Sequence, residues 1–269
     1  MKRKIVKICI GIVAVIALIH IVHMLTFDRT VQYRELIFYS ANWPQELDGY
    51  RIAFAADTHR MSESSLQEVV AELNARNLDM FLLGGDYSLR NNKDDMMRMF
   101  AAFSEVQTTD GIFGVEGNHD RRFALNEIMP QFGMTFLGNK GLHVRDGFFL
   151  GGVEDFDPWP CVASATYGVQ EGDFVLVLMH NPDISMEQPT AGIDLILAGH
   201  THGGQVTFFG WAFYLYRGSI TSYNLRFAYG WAESLDGVPV YVTRGLGRYT
   251  VPRVFARPQV VIFTMRHLS

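Results

Sequence analysis

Residues 194–204 read Asp194-Leu195-Ile196-Leu197-Ala198-Gly199-His200-Thr201-His202-Gly203-Gly204: a short apolar run, a glycine, then two histidines around one threonine. Extended backbone points alternate side chains the same way, so the spacing predicts that both imidazoles leave a strand end on one face, where they can serve a metal site. The flanking glycines permit a sharp turn and a close approach of backbone to an ion.

The same device recurs along the chain. The run 51–56 ends in Asp57-Thr58-His59, again with ligand-type side chains at i and i+2. The run 78–83, apolar except at Asp79, leads into Gly84-Gly85-Asp86. The run 111–115 leads into Glu116-Gly117-Asn118-His119-Asp120, and 175–179 ends directly in His180. Taken singly, such a residue reads as a turn or a helix cap. Five apolar runs that each deliver Asp, Asn or His at a carboxyl end match the place where open α/β sheets bind ligands.

Composition narrows the class. Of 269 residues, roughly 240 follow an apolar N-terminal segment, a length that suits one large α/β domain, 28–269, with an ample core. The formal net charge is −5, and Lys and Arg cluster only within the first seven residues, so no nucleic-acid partner is expected. The two cysteines, Cys9 and Cys161, exclude a disulfide framework and thiolate metal ligation, leaving hard or borderline cations held by O and N donors.

Residues 1–27 begin with Lys2, Arg3, Lys4 and Lys7 and continue as an apolar stretch interrupted by His20, His23 and Thr26. About 20 apolar residues suffice to cross a hydrocarbon core as a helix. No small-x-small site marks a cleaved leader, and no polar face repeats as in a buried core helix, so the segment reads as an uncleaved single-pass anchor in the cell membrane. Basic residues ahead of the span keep the N-terminus cytoplasmic and place the domain on the extracytoplasmic side.

Helical spacing of Leu66, Val69, Val70 and Leu73 predicts a helix over 62–77 with Ser62 or Ser64 as its cap, and Met96, Met99, Phe100 and Phe103 predict another over 94–103. A third is predicted over 122–129. Beyond Pro130 short strands dominate: 135–137, 142–145, 148–152, 174–179, 195–198, 238–244 and 259–265. Helices early and strands late predict two sheets packed face to face with helices outside.

Asp57, His59, Asp86, Asn118, His180, His200 and His202 make a set of seven donors. Since one ion takes about four to six ligands, the set suffices for two if one carboxylate is shared, and Asp86 is the natural bridge. Two ions about 3.5–4 Å apart can hold a hydroxide between them and clamp a phosphoryl group for in-line attack. Two divalent ions against two carboxylates and one hydroxide leave net positive charge, which favours a phosphate substrate despite the acidic chain. His119, beside Asn118, is placed either to protonate the leaving-group oxygen or to serve as a structural loop histidine.

The ordered motifs Asp57-Thr58-His59, Gly85-Asp86, Gly117-Asn118-His119-Asp120, His180 and Gly199-His200-Thr201-His202 resemble the calcineurin-like metallophosphoesterase superfamily. The extension Gly203-Gly204-Gln205-Val206 and the later Tyr241-Val242-Thr243-Arg244-Gly245-Leu246-Gly247 are similar to its YkuE-like, often membrane-associated bacterial branch. The resemblance implies an α/β, four-layer αββα sandwich, here preceded by one transmembrane helix, and two metals drawn from Mn, Fe and Zn. It also implies that Asp57, His59, Asp86 and His202 hold one ion, that Asp86, Asn118, His180 and His200 hold the other, and that His119 is catalytic. Two positions depart from the family pattern. Leu89 stands where many members carry an aspartate that orients the catalytic histidine, and Arg60 replaces a common glycine, to contact substrate or to face solvent.

The expected function is hydrolysis of a phosphoester or pyrophosphate by a metal-bridging hydroxide, on a phosphorylated small molecule or a lipid-linked substrate. The alternative is a non-catalytic metal-binding scaffold. The aromatic run 208–216 reads first as a buried strand and its turn, with contact to an acyl chain or bilayer as the alternative. Arg217, Arg226, Arg244, Arg248 and Arg253 are candidate phosphate partners.

Overall fold

The computed structural model describes residues 2–155, 160–212 and 221–268. Among them, β1 (Gln32–Ser40), β2 (Arg51–Ala55), β3 (Leu78–Leu83), β4 (Thr108–Gly114), β5 (Met134–Phe136) and the last strand, β12 (Gln259–His267), form one sheet. The second contains β6 (Lys140–Arg145), β7 (Phe148–Val153), β8 (Phe174–Met179), β9 (Leu195–Ala198), β10 (Gly230–Glu233) and β11 (Pro239–Val242). Strand orders are β1-β12-β2-β3-β4-β5 and β10-β11-β9-β8-β7-β6. β2 to β5 run parallel, as do β7, β8, β9 and β11.

Side-chain alternation explains the layering. Ile52 and Phe54 of β2, with Met80 and Leu82 of β3, face Leu176, Leu178, Leu195 and Leu197 across the gap between the sheets. Their neighbours Ala53, Ala55, Phe81 and Leu83 face outward onto two helices, α2 and α3. A strand buried on both faces must be apolar throughout, which is why these runs carry no polar alternation. On its way back to the sheet, each helix buries the stripe that its periodicity predicts: Leu66, Val69, Val70 and Leu73 in α2, and Met96, Met99, Phe100 and Phe103 in α3. The ranges are Glu63–Asn74, with Ser62 Oγ accepting from the Ser65 amide, and Lys93–Phe103, with Asn92 as cap.

Three expectations need adjustment. The helix predicted over 122–129 is a single turn, Leu125–Ile128. Among the described residues, the outer face of the second sheet is covered by similarly short turns around Val162, Ala165 and Ile184, together with Phe227. β1 and β10 were not expected; β1 half-buries Leu36 and Phe38 but exposes Ile37 and Tyr39, so apolar residues on both faces hide its alternation.

The N-terminal helix, α1 (Lys2–Leu25), buries none of its residues. Near its end the His20 ring lies 4.7 Å from that of Phe209 and 4.9 Å from that of Phe255, and His23 stacks on Phe255 at 3.8 Å. The backbones of Phe208 and Trp211 hydrogen-bond to each other both ways, closing a tight turn whose Phe208, Phe209 and Trp211 side chains are 47%, 50% and 57% exposed. This part of the aromatic run is therefore an exposed turn against α1 and not a buried strand; residues 213–217 lie outside the described ones.

Candidate metal centre

The carboxyl ends of β2, β3, β4, β8 and β9 converge in the cleft between the sheets, and all seven expected donors meet there. Asp57, His59, Asp86, His180 and His202 are buried. His59 and His202 stack with rings parallel to within 3° and Nε2 atoms 3.0 Å apart. Asp57 Oδ1 lies 3.5 Å from His202 Nε2, and Asp86 Oδ2 lies 3.6 Å from His59 Nε2. On the other side, the same Asp86 Oδ2 is 3.4 Å from His180 Nε2, which is 3.2 Å from both Asn118 Oδ1 and His200 Nδ1.

These spacings fit metal ligation. Donor atoms about 2.1 Å from one ion, arranged tetrahedrally, lie roughly 3.4 Å from one another. Tautomers point the same way: His59 Nδ1 donates to the Ser88 carbonyl at 2.8 Å, and His180 Nδ1 to the Gly84 carbonyl at 2.7 Å. Each bond leaves an Nε2 lone pair aimed into the cluster, as is usual behind a metal-bound histidine. The four atoms from Asp57, His59, Asp86 and His202 lie within 4.8 Å of one another.

Backbone geometry marks the same residues. Asp57, His59, Asp86, His200 and His202 have φ between 38° and 72°, five of the twelve non-glycine residues at positive φ among the described ones. Such conformations persist where surrounding structure enforces them, commonly at functional sites. They also correct the extended reading of His200 and His202. β9 stops at Ala198, and the left-handed turn sends the two imidazoles to opposite halves of the cluster.

Burial and crowding set the charges. Burial pushes the Asp57 carboxyl up to about 7, and burial with the neighbouring Asp86 charge pushes Asp120 up to about 8. Burial opposes ionisation of Asp86 too, but His180 and His59 outweigh it and hold this carboxyl far below its ordinary range. Burial likewise opposes charge on His180, yet Asp86 holds its imidazole well above the usual value. Burial lowers His59 to about 4 and, with His59 and Arg253 beside it, holds His202 well below its ordinary value. Carboxyls and imidazoles crowded so closely that Asp57 and Asp120 resist ionisation and His180 retains a proton form a site that a divalent cation, by displacing those protons, stabilises.

Asp120 organises the loops without joining the donors, a role that its place at the end of the Gly117-Asn118-His119-Asp120 motif does not reveal. Its carboxylate accepts the amides of Tyr87, Ser88 and Gly117, pinning the loop after β4 to the loop after β3. The His119 amide in turn donates to Asp86 Oδ1 at 2.8 Å. Leu89, buried, provides no carboxylate for His119; instead the Arg90 amide donates to His119 Nδ1 at 3.2 Å, which places the ring proton on Nε2. His119 lines a cavity of about 540 Å³ with Asp86, Asn118, His200 and His202.

Those loops touch so closely that a Cβ on Gly117 would stand 2.5 Å from the Asp86 amide nitrogen and nearer still to its carboxylate. Gly117→Ala is therefore expected to cost roughly 1–3 kcal/mol in stability and to lower metal content. Thermal melting and elemental analysis check this; wild-type values for both would contradict it.

Among the arginines, Arg253 is 3% exposed and donates to the carbonyls of Gly247, His202 and Ala256. Arg226 donates to the Glu233 carbonyl, and Arg244 stacks over Tyr229 at 4.0 Å. Arg60 and Arg248 are exposed.

Two sheets packed face to face, with O and N donors at the carboxyl ends of their strands, form a metallophosphoesterase-like architecture. The calcineurin-like phosphoesterase family model matches residues 50–204, and the chain belongs to that family. It is 30% identical to phosphodiesterase YaeI of Escherichia coli over 234 residues, 80% of this chain and 82% of that one. It is 26% identical to the uncharacterized metallophosphoesterase YkuE of Bacillus subtilis, with 83% and 81% covered. An uncharacterized metallophosphoesterase of Helicobacter pylori is also 26% identical, over 79% of this chain but 58% of its own length, so the chain spans a little over half of that relative.

Proposed function

We propose that this protein is a membrane-anchored, dinuclear metal-dependent phosphohydrolase, with residues 1–27 as anchor and 28–269 as the phosphoesterase domain. One observation carries the reading: a single oxygen, Asp86 Oδ2, lies within 3.6 Å of an Nε2 atom in each half of the donor cluster. In this reading Asp57, His59, Asp86 and His202 hold one divalent ion, and Asp86, Asn118, His180 and His200 the other, with Mn, Fe and Zn the candidates. When bound, such ions polarise phosphoryl oxygens and activate water at neutral pH.

The chain's own groups do the rest. The Ser88 and Gly84 carbonyls fix the donor imidazoles, and Asp120 holds the two loops at a constant separation. His119, its proton kept on Nε2 by the Arg90 amide, presents that N–H to the leaving-group oxygen as a hydrogen-bond donor and stabilises the charge that develops there. The substrate is a phosphoester or pyrophosphate, and the nearness of α1 to the domain favours a lipid-linked one. The name of the YaeI relative makes phosphodiesters the first class to assay.

The test is turnover by the detergent-solubilised, manganese-loaded chain on a monoester, a diester and a lipid pyrophosphate; hydrolysis of none of them would overturn the reading. His119→Ala is expected to lower kcat roughly 10²- to 10⁴-fold with metal content unchanged. A loss of metal in that variant would place His119 among the ligands instead. Lys2, Arg3, Lys4 and Lys7 precede the span and orient the domain outward; a C-terminal reporter active only in the cytoplasm would refute that topology.

A further inference from the structure

A second cavity, about 320 Å³, opens at the foot of α1, separate from the one that His119 lines. Its wall includes Met24 in the last turn of the helix and four arginines: Arg29, Arg60, Arg248 and Arg253. Asp28 is the one carboxylate among the described residues of that wall, and it is already engaged. Its oxygens accept the Phe255 and Ala256 amides, and Oδ2 lies 2.8 Å from His23 Nδ1. Arg253 is fixed by backbone carbonyls, whereas Arg29, Arg60 and Arg248 are exposed and form no side-chain hydrogen bond or ion pair among the described residues. Four guanidinium groups around one space repel each other until an anion joins them.

Depth identifies the source of that anion. The 24 residues of α1 span roughly 36 Å at 1.5 Å each, more than the ~30 Å of a hydrocarbon core. With the basic residues up to Lys7 at one boundary, the other falls about 20 residues on, near Phe27, so Met24 lies within a turn of it and Arg29 is level with the head groups. About one turn deeper than Met24, around His20, the exposed Phe208 and Phe209 lie against the helix, with Trp211 exposed in the same turn. Aromatic side chains concentrate at that interfacial level. The rest of the cavity wall is partly apolar, with Val31, Met61 and Pro252 beside the arginines.

We propose that this cavity holds the phosphate of an anionic phospholipid, gripped by Arg29, Arg60 and Arg248, with Met24, Val31 and Met61 against the start of its acyl chains. Guanidinium forks match phosphate oxygens bidentately. The lipid seats the domain on the bilayer and is not the group that reacts. The inference rests on the reading of α1 as a membrane helix but not on hydrolysis.

The test uses the full chain in zwitterionic detergent with metals chelated, so that the metal centre cannot contribute. It is titrated with dioctanoyl phosphatidylglycerol, dioctanoyl phosphatidylcholine and inorganic phosphate. Phosphatidylglycerol is expected to bind at least about ten-fold more tightly than either of the others. The double variant Arg29→Gln/Arg248→Gln should lose about ten-fold, and Arg145→Gln, at a distant ion pair with Asp110, should lose nothing. Ser65→Trp, which fills the cavity without changing its charge, should lose as much as the double variant, and it decides the matter if the double variant fails to fold. Equal binding of the two lipids, equal binding of inorganic phosphate, or full affinity in a folded cavity variant would each overturn the proposal. Detergent phase separation isolates its premise. A chain that stays in the aqueous phase refutes the membrane helix and the lipid site together, whereas a detergent-phase chain without lipid selectivity refutes the site alone.

Discussion

Asp86→Asn is expected to lower kcat/KM by roughly three orders of magnitude, about 4 kcal/mol of transition-state stabilisation, and to reduce bound metal from about two ions per chain to one or fewer. The substitution is chosen because it separates charge from shape. An asparagine keeps an oxygen for the His119 amide, which Asp86 Oδ1 now accepts at 2.8 Å, so the loop after β4 retains its anchor. What disappears is the anion whose Oδ2 lies 3.6 Å from His59 Nε2 and 3.4 Å from His180 Nε2. Without it, neither half of the donor set keeps its shared oxyanion, and His180 loses the charge that holds its imidazole up. The chelated variant should melt below the chelated wild type, because His180 and His59 hold the Asp86 charge favourably and removing one partner of a buried pair costs stability. Elemental analysis, steady-state kinetics and a thermal melt check the three parts. Two ions per chain with activity within about ten-fold of wild type would mean that this centre is not where catalysis occurs.

How far the sequence revealed this centre depends on which physical signal each residue leaves. The candidate donors stood out because strands buried on both faces are continuous apolar runs, and a polar residue at the end of each contrasts with them. α2 and α3 were legible for a related reason, since their stripes of buried residues follow the helical period. β1 left no such signal: Ile37 and Tyr39 are exposed while Leu36 and Phe38 turn inward, and its partner β12 lies at the other end of the chain. The contact that replaces an aspartate beside His119 comes from a backbone amide, which every non-proline residue has; Arg90 reaches it at φ 55°. Asp120 looked like one more polar residue in a motif, and its function exists only where two loops meet. The spacing of His200 and His202 singled out both as candidate donors, but extended geometry gave the wrong account of how they are arranged. A left-handed turn, not strand alternation, divides them between the two halves of the cluster.

With metals chelated, the protein is expected to lose stability as pH rises from about 6.5 to 8, whereas with saturating manganese it should gain. Asp57, at about 7 in the folded chain against 3.8 for the free group, and Asp120, at about 8, are carboxyls with raised values. Each contributes stability that is complete below the unfolded value and is lost as pH climbs through the folded one. His180, held well above 6.5, loses its contribution over the same upper range. His59, lowered to about 4, and His202 act oppositely, but their contribution is lost only as pH falls below 6.5, the unfolded histidine value. Above that pH only Asp57, Asp120 and His180 still titrate, and all three pull the same way. Release of about one net proton over this range on unfolding amounts to about 2 kcal/mol, or roughly 5 °C in melting temperature for a chain of this size. Bound metal reverses the slope because the carboxyls and imidazoles must shed their protons to become ligands, so affinity rises with pH. Melting curves across that range, with chelator and with manganese, should therefore diverge. Parallel curves would show that Asp57 and its neighbours do not take up metal.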